Sequence, residues 1–252
     1  NSFSVAERME ILDALVEAGV PPARLLVGTG CCALPDTLML TRHAAAHGVG
    51  GVLMLPPFYY KNLTDEGLFA AFDRVIQQVG DGRLQVFLYH FPTMSGVPFS
   101  HAVVERLLAA YPRTVAGMKD SSGDRAHMKA AVEAFPGFRV FAGTEQYLLD
   151  ILRMGGAGCI TATTNVTCRW AGKIVARRHT EDVRALQRRL TAVRRAIEAY
   201  PMIPALKQIM AERTHRMEWL NLRPPLTRLR EPEAAALRDR LAQLRFFLEM
   251  AD

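Results

Sequence analysis

The sequence predicts an α/β fold of repeated strand–helix units around a parallel sheet, and three observations predict it. Short apolar runs recur along the chain and are nearly continuous rather than alternating, as strands covered on both faces are. A helix-compatible stretch follows each run, and the units repeat roughly every 20–35 residues, as βαβ units do. The 252 residues are 50% hydrophobic, which is enough for one α/β domain of about 250 residues.

Each element has a local reason. Ser4 with Glu7 three residues later forms a capping box that opens a helix reaching about Ala18, where Gly19 stops it. The run Leu25-Leu26-Val27 closes on Gly28-Thr29-Gly30 as the first strand. Asp36 to His47 reads as a helix halted by Gly48, and Val52 to Leu55 as a strand halted by Pro56-Pro57. A helix from Thr64 to about Val79 precedes a strand over Leu84–Tyr89. Ser100 opens a helix to Tyr111, followed by a strand over Val115–Lys119 and a helix over Asp124–Phe135. Phe138–Phe141 is a strand, Thr144–Met154 a helix, Cys159–Thr161 a strand, and helix resumes near Thr167. The last stretch turns to Arg/Glu/Ala/Leu-rich helices punctuated by Pro201, Pro204, Pro224, Pro225 and Pro232. Residues 1–166 are therefore expected to form a (β/α) barrel, and residues 167–252 its last helix plus a helical extension.

Six strand–helix units are visible, whereas a closed (β/α)8 barrel has eight. An open doubly wound sheet could use six, but no GxGxxG fingerprint follows the first strand. The remaining expectation is a (β/α)8 TIM barrel whose first two strands are absent from a sequence that opens at Asn1 without Met.

Composition narrows the function. No apolar run approaches the ~18–20 residues of a membrane span, and four cysteines are too few for a disulfide scaffold. A reduced, cytoplasmic setting is the default expectation. No CxxC or HxxxH pair is read as marking a zinc site, and neither a metal nor an organic cofactor is expected. The net charge of +6 comes from 31 basic residues, of which only Lys61, Lys119, Lys129, Lys173 and Lys207 are lysines. Pairs such as Arg177-Arg178, Arg188-Arg189 and Arg194-Arg195 are interspersed with Glu181, Asp182 and Glu198 and read as a solvated helix face. No aromatic–basic interleaving points to nucleic acid.

In such folds the chemistry sits at the C-terminal ends of the strands. Those ends carry Gly28-Thr29-Gly30, Tyr59-Tyr60, Tyr89-His90, Lys119-Asp120-Ser121, Gly143-Thr144-Glu145 and Thr161 to Asn165. Lys119 closes an apolar strand, while the other lysines fall on helices or a loop. A desolvated amine there can attack a carbonyl to form a Schiff base, and pairing with Asp120 is the structural alternative. Tyr89 ends the neighbouring strand, where a phenol can pass a proton in either direction; a plain strand-end hydrogen bond is its alternative. His90 should point away from the side of Tyr89, because strand neighbours alternate, and Ser121 should return to the side of Lys119. Cys31 and Cys32 read as small buried filling, and His179 and His215 as surface residues.

Two blocks, Tyr89-His90-Phe91-Pro92 with Ser95-Gly96-Val97 and Gly117-Met118-Lys119-Asp120-Ser121-Ser122-Gly123-Asp124, resemble those of the dihydrodipicolinate synthase / N-acetylneuraminate lyase family. Gly28-Thr29-Gly30, Pro57-Phe58-Tyr59-Tyr60 and Gly158 to Asn165 fit in the same order, so the resemblance spans almost the whole chain. It implies a class I aldolase on a (β/α)8 barrel, handling pyruvate or another 2-oxo acid together with an aldehyde, without a cofactor. It assigns the Schiff base to Lys119, proton transfer to Tyr89, a tyrosine lent across a subunit interface to Tyr59, and a backbone carbonyl beside the keto acid to Ile160. Ser121, Gly143, Glu145 and Met94 fall at substrate-facing positions. A homodimer or homotetramer is implied as well. Met94 stands where the synthases carry a carboxylate-binding arginine, and a thioether cannot make that bidentate pair. The segment Phe91 to Val97 is closer to the sugar-acid lyases, although Glu145-Gln146 and Ala162 depart from the sialic-acid lyase pattern. The expected activity is cleavage or formation of a 2-keto-3-deoxy sugar acid or a hydroxy-oxo acid. Dihydrodipicolinate synthesis and a catalytically silent oxo-acid-binding barrel are the alternatives.

Overall fold

The structure, a computed structural model, describes residues 2–246. They form two compact units that divide between Phe141 and Ala142. In the first unit, α1 (Val5–Glu17) leads to β1 (Leu26–Gly28), α2 (Leu34–Ala46), β2 (Gly51–Met54), α3 (Asp65–Val79) and β3 (Val86–His90). The short α4 (Pro92–Ser95), α5 (His101–Ala110), β4 (Val115–Asp120), α6 (Arg125–Ala134) and β5 (Arg139–Ala142) follow, with Ala142 falling beyond the unit boundary. The second unit continues with α7 (Leu148–Arg153), β6 (Gly158–Cys159), α8 (Thr164–Ala176), α9 (Val183–Glu198), α10 (Met202–Thr214) and α11 (Glu231–Gln243).

In the first unit, strands β1 to β5 neighbour one another in chain order, and β1·β2, β2·β3 and β3·β4 pair in parallel. Parallel strands with intervening helices are the α/β architecture that the apolar runs predict. Within the second unit, the Ile160 N–H donates to the Ala142 carbonyl at 3.0 Å. No helix among the described residues is long and apolar enough to cross a membrane.

The helix starts follow the cap chemistry. Ser4 Oγ accepts from the Glu7 N–H, and the Glu7 carboxylate accepts from the Ser4 N–H at 2.8 Å. Thr64, Ser100 and Asp124 cap α3, α5 and α6 through their side-chain oxygens. Gly80 closes α3 in the left-handed region at φ +66°, which costs glycine little. The region Thr144–Met154, expected as one helix, is a 3-10 turn over Glu145–Tyr147 followed by α7. The helix near Thr167 starts earlier, at Thr164.

Two glycines shape the first unit's sheet. A Cβ on Gly117 would meet the Phe87 ring at 2.8 Å and the Arg139 carbonyl at 2.3 Å, and one on Gly51 would meet Phe87 at 2.7 Å. The Phe87 ring therefore occupies space that side chains on both neighbouring strands would need. Phe87 is two residues before Tyr89, and Gly117 two before Lys119, so this filling lies on the same face as those two residues.

The core of the second unit is Trp170 and Ile174 on α8 with Leu190, Val193 and Ile197 on α9, Ile209 on α10 and Leu237 and Leu241 on α11. Trp170 is 1% exposed and meets Phe246 edge-on at 5.4 Å between ring centroids. Trp170→Ala should destabilise this unit by about 3–5 kcal/mol, because the cavity cannot close around so large a loss. A drop in urea midpoint at unchanged slope, followed by circular dichroism, measures it.

Candidate active site

The register of β3 and β4 sets Tyr89 opposite Lys119 and His90 opposite Asp120. Both strands are parallel, so both pairs lie at the C-terminal ends. Side chains alternate, so the two pairs occupy opposite faces of the sheet.

On one face, Lys119 Nζ donates to Tyr89 Oη at 2.8 Å, and the same nitrogen lies 4.2 Å from the centre of the Tyr89 ring. Both residues are half-buried. Phe91 stacks on the Tyr89 ring at 5.5 Å, with 22° between the planes. An amine held against a phenol, with apolar rings around it, can attack a carbonyl and exchange protons through the phenol. Tyr89 also lines a cavity of about 320 Å³ with Phe3, Arg8, Gly28, Gly30, Leu53 and Leu55. Within it, Arg8 donates to the Gly28 carbonyl at 2.6 Å and to Cys31 Sγ at 3.2 Å. Nothing in the sequence marks Arg8, a helical arginine outside any motif.

On the other face, the chain after Lys119 closes a polar ring on itself. Asp120 Oδ1 accepts from the Ser122 N–H at 2.9 Å and from its hydroxyl at 2.6 Å. Ser122 Oγ accepts from the Asp124 N–H at 3.0 Å, and Asp124 caps α6 by accepting from the N–H groups of Ala126 and His127. His127 Nδ1 then returns to Asp120 Oδ2 at 2.6 Å. His90 stacks flat on His127 at 4.4 Å, and its Nδ1 accepts from the Phe99 N–H at 3.1 Å. His90 thus points away from Tyr89, as alternation requires. Burial pulls the Asp120 carboxyl upward, but hydrogen bonds from His127 and Ser122 outweigh it and hold it below its ordinary 3.8. The hydrogen bond to Asp120 raises His127, while burial lowers His90 to about 4.

Tyr59 and Tyr60 stand out from the surface, 75% and 71% exposed, with their rings edge-to-face. Met94 on α4 is 71% exposed. Lys61 donates to the Ser95 carbonyl at 2.7 Å and packs over Gly96, the left-handed residue ending α4 at φ +65°. The half-buried Ser121 donates its N–H to the His90 carbonyl at 2.8 Å.

In the second unit Gly143 and Ile160 are half-buried, and Glu145 is fully buried. The Glu145 carboxylate accepts from the hydroxyls of Thr161 at 2.8 Å, Thr167 at 3.1 Å and Thr163, and from Arg194 Nη1 at 3.1 Å. Arg194 also donates to the two hydroxyls of Thr161 and Thr163 and to Glu198 at 2.6 Å. Glu145 is thereby committed to protein partners, and it fixes the loop of Thr161–Thr163. Burial pushes the nearby Cys159 thiol up to about 12, with the Glu145 charge adding to it.

Several sequence expectations are corrected. Arg194 is not on a solvated face: it is 9% exposed and neutralises Glu145, although its neighbour Arg195 is exposed. Cys32 is exposed and Cys31 half-buried, because the chain has left β1 after Gly28, so neither is buried filling. The sequence also does contain an HxxxH spacing, His43-Ala44-Ala45-Ala46-His47, contrary to the reading that none is present. These two imidazoles meet Asp13 at the surface of the first unit.

A model of the dihydrodipicolinate synthetase family matches residues 1–244. An uncharacterised DapA-like lyase of Chloroflexus aurantiacus is 37% identical over 238 residues, 94% of this chain and 79% of that protein. A probable 2-dehydro-3-deoxy-D-pentonate aldolase of Escherichia coli, YjhH, is 28% identical over 172 residues. That match takes in 66% of this chain but only 54% of that protein, so this chain spans about half its length. Among solved structures, dihydrodipicolinate synthase from Agrobacterium tumefaciens superposes with a TM-score of 0.86 at 27% identity, over 95% of this chain and 81% of that one.

Two predictions follow from the buried groups. Arg194→Met strands a buried carboxylate and should destabilise the second unit by about 3–5 kcal/mol, partly restored by adding Glu145→Gln; urea midpoints of the three variants test this. His90 has a folded-state pKa below its ordinary 6.5, so the unfolded chain binds the extra proton between about 6.5 and about 4. Its contribution to stability is complete above that window and is lost as pH falls through it. His127, shifted upward, contributes below 6.5 and loses its contribution as pH rises through its folded value. His90→Asn should therefore flatten the stability slope on the acidic side only, read from melts across pH 4–7.

Proposed function

The chain belongs to the dihydrodipicolinate synthetase family, and from that premise we propose that it is a Schiff-base lyase acting on a 2-oxo acid. The observation that carries the reading is the 2.8 Å contact between Lys119 Nζ and Tyr89 Oη at the ends of adjacent parallel strands. The Lys119 amine adds to the C2 carbonyl of pyruvate or a longer 2-oxo acid. The carbinolamine then loses water to an imine, with Tyr89 passing the proton to the departing hydroxyl. In the cleavage direction, Tyr89 takes the proton of the C4 hydroxyl while the C3–C4 bonding pair moves into the protonated imine. An aldehyde leaves and an enamine remains. Protonation at C3 and hydrolysis release pyruvate and restore the lysine; condensation is the same path reversed. The protonated imine is the electron sink, so the chemistry calls for neither a metal nor an organic cofactor.

A 2-keto-3-deoxy sugar acid or a hydroxy-oxo acid is the proposed substrate class. Met94 supports it, being a thioether where the synthases carry an arginine for a second carboxylate, and so does the pentonate aldolase among the relatives. The synthase match keeps dihydrodipicolinate synthesis as the second reading. Ile160, Ser121 and Gly143 are assigned to substrate contact, and Glu145 acts through Thr161 and Thr163. The exposed Tyr59–Tyr60 pair supports a homodimer or tetramer in which Tyr59 reaches a neighbouring subunit's site.

Borohydride reduction in the presence of pyruvate tests the reading. A reduced adduct should form on the Lys119 peptide and vanish in Lys119→Ala; labelling that persists in that variant would refute the assignment. Tyr89→Phe should still trap pyruvate, more slowly, while turnover with a 2-keto-3-deoxy sugar acid falls roughly 10²–10⁴-fold.

A further inference from the structure

The first unit carries a further cluster of ionisable side chains, separate from the Lys119–Tyr89 pair and from the Asp120–His127–His90 group. His43 lies in the last turn of α2, and His47 caps that helix. The two sit four residues apart on one helix face and point toward α1, where Asp13 faces them. Asp13 Oδ1 is 2.7 Å from His43 Nε2 and 2.7 Å from His47 Nε2, and the rings meet edge-to-face at 4.9 Å between centroids. All three ligand-type atoms lie within 4.8 Å of one another.

We propose that Asp13, His43 and His47 form a binding site for a divalent transition cation of the zinc class, which clasps α1 to α2. Four features support it. Two imidazole nitrogens and one carboxylate oxygen are a zinc-type donor set, and three protein ligands leave a fourth position for water. The i, i+4 spacing brings both imidazoles to one point without rearranging the backbone. Both histidines belong to the C-terminal end of α2, where the helix dipole favours positive charge.

The fourth feature concerns His43 Nε2. It is buried and has no hydrogen-bond partner, although Asp13 Oδ1 is close by. Both ring nitrogens thus converge on one carboxylate oxygen, the proximity of ligands that share a centre. An ion pair of Asp13 with His47 alone would explain the His47 contact and leave the His43 nitrogen unsatisfied. A cation bound by the Nε2 lone pairs of both rings would give His43 Nε2, His47 Nε2 and the Asp13 carboxylate one shared partner, with side-chain shifts of about a few tenths of an ångström opening the cluster. The partial exposure of all three residues gives the ion an entry path.

Titration of the metal-free full chain with zinc, in competition with a chromophoric chelator, tests the proposal. One equivalent should bind saturably, and the melting temperature should rise with zinc as mass action requires. His47→Gln and Asp13→Asn, each checked for folding by circular dichroism, should weaken binding roughly tenfold or more and remove the thermal shift. Cobalt(II) separates this site from the four cysteines. A visible d–d band without thiolate-to-metal charge transfer supports the assignment. The absence of saturable binding, a thiolate charge-transfer band, or unchanged affinity in His43→Gln/His47→Gln would overturn it.

Discussion

Alternation of side chains along two parallel strands in fixed register is the constraint on which the rest of the first unit depends. With Tyr89 set against Lys119, His90 must be set against Asp120 on the opposite face. A slip of one residue in either strand would break both pairs, because it carries that strand's side chains to the opposite faces. The same constraint explains Phe87 and the two glycines beside it. An aromatic ring two residues before Tyr89 fills the layer below the amine, and only glycine at positions 51 and 117 leaves it that space. Packing there supports the contact above it, because an amine and a phenol are held at 2.8 Å only if neither side chain can relax into a void.

Much of this was legible in the sequence, for reasons that are local. Ser4 with Glu7, Thr64, Ser100 and Asp124 announce helix starts because their side chains satisfy the first free N–H groups. The apolar runs announce buried strands because parallel strands are covered on both faces. Lys119 stood out because a lysine closing such a run must be desolvated or paired. What the sequence hid depends on long-range partners. Arg194 looks like any other arginine on a basic helix, and its burial follows from Glu145, 49 residues earlier. The break between Glu145–Tyr147 and α7 follows from the same network, which holds Glu145 in place and turns the chain before the helix proper begins. The His43–His47 spacing was visible, but its meaning required Asp13 on another helix.

The block from Lys119 to Asp124 combines these two kinds of information. Read as a motif, it points to the lysine. Read as structure, most of it serves the turn that follows. Asp120 holds the N–H and hydroxyl of Ser122, Ser122 holds Asp124, Asp124 caps α6, and His127 on α6 returns to Asp120. Gly123 supplies the left-handed step, at φ +79°, that lets the chain close this ring. Each polar group in the ring has a partner, so the end of β4 and the start of α6 are joined as one piece. The backbone of Lys119 is then fixed from its C-terminal side by the ring and laterally by its pairing with β3. Its side chain is then set by its own torsions and by the contact with Tyr89. In this block, one side chain leaves the turn for the opposite face of the sheet, and its neighbours hold the backbone that carries it.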